Sequence, residues 1–133
     1  MDRAAFLTCA RAFGDAQEDH PWMDDPDSTV FRHRGNKKWF ALVMNIPQSR
    51  LGMAGEERID VVNLKADPIL IGSLRGEKGI YPAYHMNKNR WVSLALDGSA
   101  ADEQIKWLLC MSHQLTESGT KRKRTTPEGS DAP

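Results

Sequence analysis

A chain of 133 residues is long enough for one domain with its own core, and its two cysteines, Cys9 and Cys110, are too few for a disulfide framework and lack zinc-type spacing. Eighteen basic residues balance eighteen acidic ones, so any affinity for nucleic acid has to come from where charge sits rather than from its total. No apolar run approaches the roughly 20 residues that span a bilayer, and the first residues lack a secretory pattern, so a soluble protein of a reducing, cytoplasmic compartment is expected.

Phe6, Cys9, Ala10 and Phe13 fall at i, i+3, i+4 and i+7, the apolar stripe of a first helix that Gly14 ends. Six acids and no lysine or arginine lie between Asp15 and Asp27; with Pro21 and Pro26 this reads as a connecting segment, with at most a short strand at 20–23. Residues 29–34 and 37–44 flank Gly35-Asn36, a two-residue hairpin signature. That register pairs Arg34 with Lys37, Arg32 with Trp39, His33 with Lys38 and Phe31 with Phe40. It directs Phe31, Phe40, Leu42 and Met44 into the core and leaves Arg32, Arg34, Lys37 and Trp39 in solvent.

A polar loop leads to a third strand at 59–64, and Asp67-Pro68 supplies the cap and first position of a short helix that stops at Gly76. A fourth strand at 80–86 carries Pro82, which suits an edge or a bulge. Asn87-Lys88-Asn89 is turn chemistry before a fifth strand at 91–96. Ser99 and Asp102 read as a capping box for a last helix with a stripe of Ile105, Leu108, Leu109 and Leu115. The sum is an α+β two-layer fold, an antiparallel five-stranded sheet with helices on one face, in the order α-β-β-β-α-β-β-α. Residues 1–116 form the domain, and 117–133 are a tail too polar to order itself.

Arg32, Arg34 and Lys37 around Trp39 interleave cations with an aromatic ring, as nucleic-acid backbones and bases require, although a solvated strand also carries such charges. The block at 84–91 offers Lys88 and Arg90 to phosphates, while Tyr84, His85, Asn87 and Trp91 could surround a small anionic ligand or simply complete a turn. The run Lys121, Arg122, Lys123 and Arg124 in the tail could add nonspecific DNA affinity. The four histidines lack paired spacing, and Asp19, Asp24, Asp25 and Asp27 follow no calcium-loop ladder, so no metal site and no cofactor are expected. Cys110 and His113 lie three apart on the last helix, but no third group to orient the histidine is evident, so no enzyme is expected.

Four segments together resemble the MmcQ/YjbR family: Lys37-Lys38-Trp39-Phe40-Ala41-Leu42; Val62-Asn63-Leu64-Lys65-Ala66-Asp67-Pro68; Tyr81-Pro82-Ala83-Tyr84-His85-Met86-Asn87-Lys88 with Trp91; and Leu96-Asp97-Gly98. The resemblance spans about residues 2–116, and His-Met-Asn-Lys-x-x-Trp is its most specific part. Where the family pattern has histidine before that tryptophan, this chain has Arg90. The resemblance implies a topology similar to secretion-chaperone-like domains, and a bacterial cytosolic DNA-binding protein whose β-hairpins act as a double wing. The combined expectation is a nonenzymatic module binding DNA. Its alternatives are a protein-interaction or chaperone-like module, dimeric, with an apolar patch at Trp39 or Trp107, and a sensor of a small anionic ligand.

Overall fold

The computed structural model describes residues 1–117, so the tail, beyond Glu117 and including the basic run at 121–124, lies outside the described residues. Helix α1 (Arg3–Arg11) starts at Asp2, whose side chain accepts from the Ala5 amide at 2.9 Å, and buries Phe6 and Ala10. Asp67 likewise caps α2 (Pro68–Leu74) by accepting from the Ile69 amide at 3.0 Å. Helix α3 (Asp102–Thr116) buries Ile105, Leu108 and Leu109, but it begins without a side-chain cap: Ser99 is turned to Asp97 instead, and Leu115 is exposed.

These helices share one core with the inward residues of a six-stranded antiparallel sheet: β1 (Ala16–Asp19), β2 (Thr29–His33), β3 (Trp39–Pro47), β4 (Arg58–Lys65), β5 (Ile80–Pro82) and β6 (Trp91–Ala95). The spatial order is β1-β2-β3-β4-β6-β5. The α+β class and the helical layer are as expected, with one strand more than the five anticipated. The extra strand is β1, which lies before the 20–23 position proposed for it and pairs Gln17 with Arg32 and Asp19 with Val30. Pro82 does lie on an edge strand, β5, where its missing N–H breaks no ladder.

The hairpin register needs correction at one residue. Arg32 faces Trp39 as expected, but Phe31 faces Ala41, so Phe40 is an extra residue bulged out of β3. The bulge reverses the pleat: Phe40, Ala41 and Val43 enter the helical core, while Trp39, Leu42, Met44 and Ile46 point to the other face. Ser112, fully buried on α3, occupies the gap. Its hydroxyl donates to the Phe40 carbonyl at 2.6 Å and accepts from the Lys65 amide at 2.9 Å, satisfying two backbone groups left over where the β3–β4 pairing ends. The turn is also longer than two residues. The Lys37 amide donates to the His33 carbonyl, and Lys37 itself is left-handed, with φ +64°.

Candidate functional site

The sheet face away from the helices is not bare. Val30, Leu42, Met44, Ile46, Val61 and Ala95 form a second apolar cluster on it, because β3 and β4 are central strands buried on both faces. Two segments fold over this cluster. From one side comes the link between β1 and β2, where Trp22 meets Trp39 edge to face at 5.8 Å and 90°. This link is held by Ser28, whose buried hydroxyl donates to Asp25 Oδ2 at 2.6 Å, and by a turn from the Asp25 amide to the Trp22 carbonyl.

From the other side comes the segment after β5. Asn63 on β4 and Ser93 on β6, both fully buried, clamp its Tyr84: the Ser93 hydroxyl donates to Asn63 Oδ1, the Tyr84 amide donates to Ser93 Oγ at 2.9 Å, and Asn63 Nδ2 donates to the Tyr84 carbonyl at 2.8 Å. The next residue, His85, adopts φ +60° and lies against Tyr84, ring centroids 3.9 Å apart and planes tilted by 45°. Between the two segments lies a cavity of about 470 Å³ with Leu42, Met44 and Trp39 beneath it. Trp22, Asp24, Asp25 and Ser28 line one side and His85 and Met86 the other.

A cationic surface occupies one end of the same sheet. The antiparallel register brings the start of β3, the end of β4 and the start of β6 to that end: Lys65 faces Trp91, and the Ala66 amide donates to the Arg90 carbonyl at 2.9 Å. Lys38, Lys65 and Arg90 therefore converge from separate stretches of chain. Burial, with Arg90 and then Lys38 adding like-charge repulsion, lowers the Lys65 ammonium below the ordinary lysine value. Lys37, Lys88 and Arg90 are exposed, and no ion pair among the described residues involves any of these five side chains.

The residues singled out in the sequence are thus divided. Lys88 and Arg90 join the cationic end, and Lys37 borders it while donating to Gln17 Oε1 at 2.7 Å. Arg34 is exposed but spends a donor on the Ala16 carbonyl. Arg32 is withdrawn: its Nε lies 2.7 Å from Asp19 Oδ2, an ion pair without hydrogen-bond alignment, so its charge is neutralised within the sheet. Trp39 is half-buried against Trp22 rather than free in solvent, and the hairpin that was to form a wing is flanked on both sides by β1 and β4. Of the alternative ligand group, only His85 is among the described residues that line the cavity, beside the carboxylates of Asp24 and Asp25. Asn87 spends its side chain on the Asn89 amide, Tyr84 packs on the second cluster, and Trp91 lies in β6 beside Lys65.

One constellation has no signal in the sequence. Asp15 Oδ2 receives a hydrogen bond from His33 Nδ1 at 2.5 Å and Asp15 Oδ1 one from His113 Nε2 at 2.7 Å, while His33 Nε2 meets Thr116 Oγ1 at 2.8 Å. Burial opposes ionisation of Asp15, but its hydrogen bonds with His113 and His33 outweigh that and hold its carboxyl below the ordinary value. Donor atoms of this kind within 4.8 Å of one another could ligate a transition metal. As arranged, both imidazole N–H groups are satisfied by the carboxylate, which ties the start of β1 and the end of β2 to α3. His113 is therefore committed to Asp15 and not to Cys110, which is exposed. No described helix is long and apolar enough to cross a membrane.

Comparison with known proteins agrees with this architecture. The family model described as YjbR matches residues 11–115. "Uncharacterized protein YyaQ" of Bacillus subtilis (strain 168) is 38% identical over 99 residues, covering 74% of this chain and 84% of the relative. "Uncharacterized protein YjbR" of Escherichia coli (strain K12) is 35% identical over 78 residues, 57% of this chain and 66% of that one. A crystal structure of a Pseudomonas syringae protein superposes with a TM-score of 0.85 at 47% identity, covering 88% of this chain and all of the other. A Deinococcus radiodurans protein superposes with a TM-score of 0.66 at 25% identity over 93% of this chain and 82% of its own. Sheet, helical layer and sequence match agree across most of the described residues, and the chain belongs to the YjbR family.

Proposed function

We propose that this protein is a nonenzymatic binding module that takes duplex DNA on the cationic end of its sheet. The observation that carries the reading is the convergence of Lys38, Lys65 and Arg90 with no ion pair among the described residues, flanked by exposed Lys37 and Lys88. Like charges held together cost free energy that a phosphate backbone relieves, and each neutralised phosphate releases condensed counterions. Contact is through strand ends and turns, not through a projecting hairpin, so the reading is one of backbone binding with little base discrimination.

Fluorescence anisotropy with a labelled duplex at several salt concentrations tests it. The full chain should bind at low salt, and log affinity should fall against log salt with a slope of about −3 for about three phosphates. Lys38→Ala or Arg90→Ala should each reduce that slope by about 1, whereas Arg32→Ala should leave it unchanged. Replacing the basic residues at 121–124 with serine separates the tail from the sheet. If that replacement alone abolishes binding, the tail is the DNA binder and the sheet reading fails; if the full chain ignores DNA at low salt, the reading fails and a protein partner at exposed Trp107 becomes the explanation to pursue.

A further inference from the structure

We propose that the cavity on the open face of the sheet is a binding site for a small organic cation with an apolar body, such as a quaternary or tertiary ammonium. The inference is independent of the DNA reading, because it concerns different side chains of opposite charge.

The walls supply what such a ligand requires. Trp22 and Trp39 stand at right angles in edge-to-face contact, and two rings so disposed leave a corner in which a guest touches the face of each. A cation within about 6 Å of an indole centroid is attracted by the ring quadrupole, most strongly where water is excluded. Leu42 and Met44 give that corner an apolar floor, and Met86 adds a polarisable thioether opposite. Asp24 and Asp25 bring carboxylates to the same wall, and neither forms an ion pair among the described residues. Among the described residues, no lysine or arginine lines the cavity.

Both carboxylates are exposed, so they favour a cation through the field they set up at the rim: a neutral ligand gains nothing from them, and a phosphate or carboxylate ligand would be repelled. The site is also built in advance of any ligand. Ser28 holds the Asp25 carboxylate, the Trp22–Asp25 turn sets the Trp22 backbone while its indole packs edge to face on Trp39, and the clamp of Asn63 and Ser93 on Tyr84 sets the opposite wall. Rigid walls reduce the ordering cost of binding. The volume of about 470 Å³ lies within the usual range for small-molecule sites.

Benzyltrimethylammonium is a suitable probe, with neopentylbenzene as its uncharged isostere and benzoate as an anion of similar ring size. Titration into the full chain, followed by tryptophan fluorescence and by indole N–H shifts, should saturate for the ammonium and perturb Trp22 and Trp39 but not Trp107. The double variant Asp24→Asn/Asp25→Asn should weaken binding about tenfold, and the single Asp24→Asn, which removes one of the two exposed carboxylates, about threefold. Met23→Ala, at the neighbouring 99% exposed residue, should change nothing. The proposal is overturned if the ammonium gives no saturable shift, if neopentylbenzene binds within about twofold of it, or if both carboxylate variants bind as the parent does.

Discussion

Asp15 shows how one side chain can fasten three elements whose sequence positions give no hint of contact. Its carboxylate accepts from imidazoles 18 and 98 residues away, and one of those, His33, is nearly fully buried. Because the folded carboxyl is held below its ordinary value of 3.8, its contribution to stability is fully present above that pH. It is lost as the pH falls through the lowered value. The Asp15 side chain is 42% exposed, so solvent screening limits this pH-linked part to about 1 kcal/mol. Asp15→Asn leaves one oxygen to serve two imidazole donors, and should cost about 2 kcal/mol near neutrality. Urea unfolding of both proteins across the acid range checks this: the gap between them should narrow as Asp15 protonates. A gap that stays constant into strong acid would show that the ionised carboxylate is not what the histidines hold. Neither histidine could be paired with Asp15 from spacing alone, since one lies 18 residues on, across the β1–β2 link, and the other 98 residues on, on α3.

Elements were legible where one physical signal sufficed, and illegible where two competed. Asp67-Pro68 marked the start of α2 because cap and proline chemistry are local, and Pro82 marked an edge because a missing N–H cannot sit in a central ladder. Strand β1, with the sequence Ala-Gln-Glu-Asp, has no β-branched or aromatic residue. It is held from outside, by Arg11 on Glu18 at 2.7 and 2.8 Å, Arg32 on Asp19 and Lys37 on Gln17. The β3 run Phe40-Ala41-Leu42-Val43-Met44 is apolar without alternation, so period-two reasoning could not place its bulge; both faces of that strand are buried. Ser112 is the element-level consequence. Ser112→Ala leaves the Lys65 amide and the Phe40 carbonyl without this fully buried partner, and should lower stability by about 2 kcal/mol. Thermal or urea unfolding measures the loss, with faster hydrogen exchange at the Lys65 amide as its local signature. A loss under about 0.5 kcal/mol would mean that the bulge is supported by other means.

At the scale of the whole molecule, the sheet carries two apolar layers with different duties. The helical layer supplies the larger core, while the thinner layer of folded-over segments shapes the cavity and leaves the cationic end open. That second layer was missed in the sequence because Trp22 lies among acids and prolines that read as a link, and Tyr84 and His85 lie in what read as a strand and turn. The 83–90 segment serves both candidate sites, with His85 and Met86 at the cavity and Lys88 and Arg90 at the cationic end. Its two halves are anchored separately. Tyr84 is held by Asn63 and Ser93, whereas Arg90 is held by the Ala66 amide and by the turn in which the Arg90 and Trp91 amides donate to the Asn87 carbonyl. Asn63→Ala therefore separates the two sites in a single variant. It removes the acceptor of the Ser93 hydroxyl and the donor to the Tyr84 carbonyl, at a cost of about 2 to 3 kcal/mol. The freed wall should weaken benzyltrimethylammonium binding severalfold, while the salt slope of DNA binding stays at the parental value because residues 87–91 keep their own hydrogen bonds. If Asn63→Ala reduces the DNA slope as much as it weakens the ammonium, the two halves move as one body and the separate anchoring is wrong.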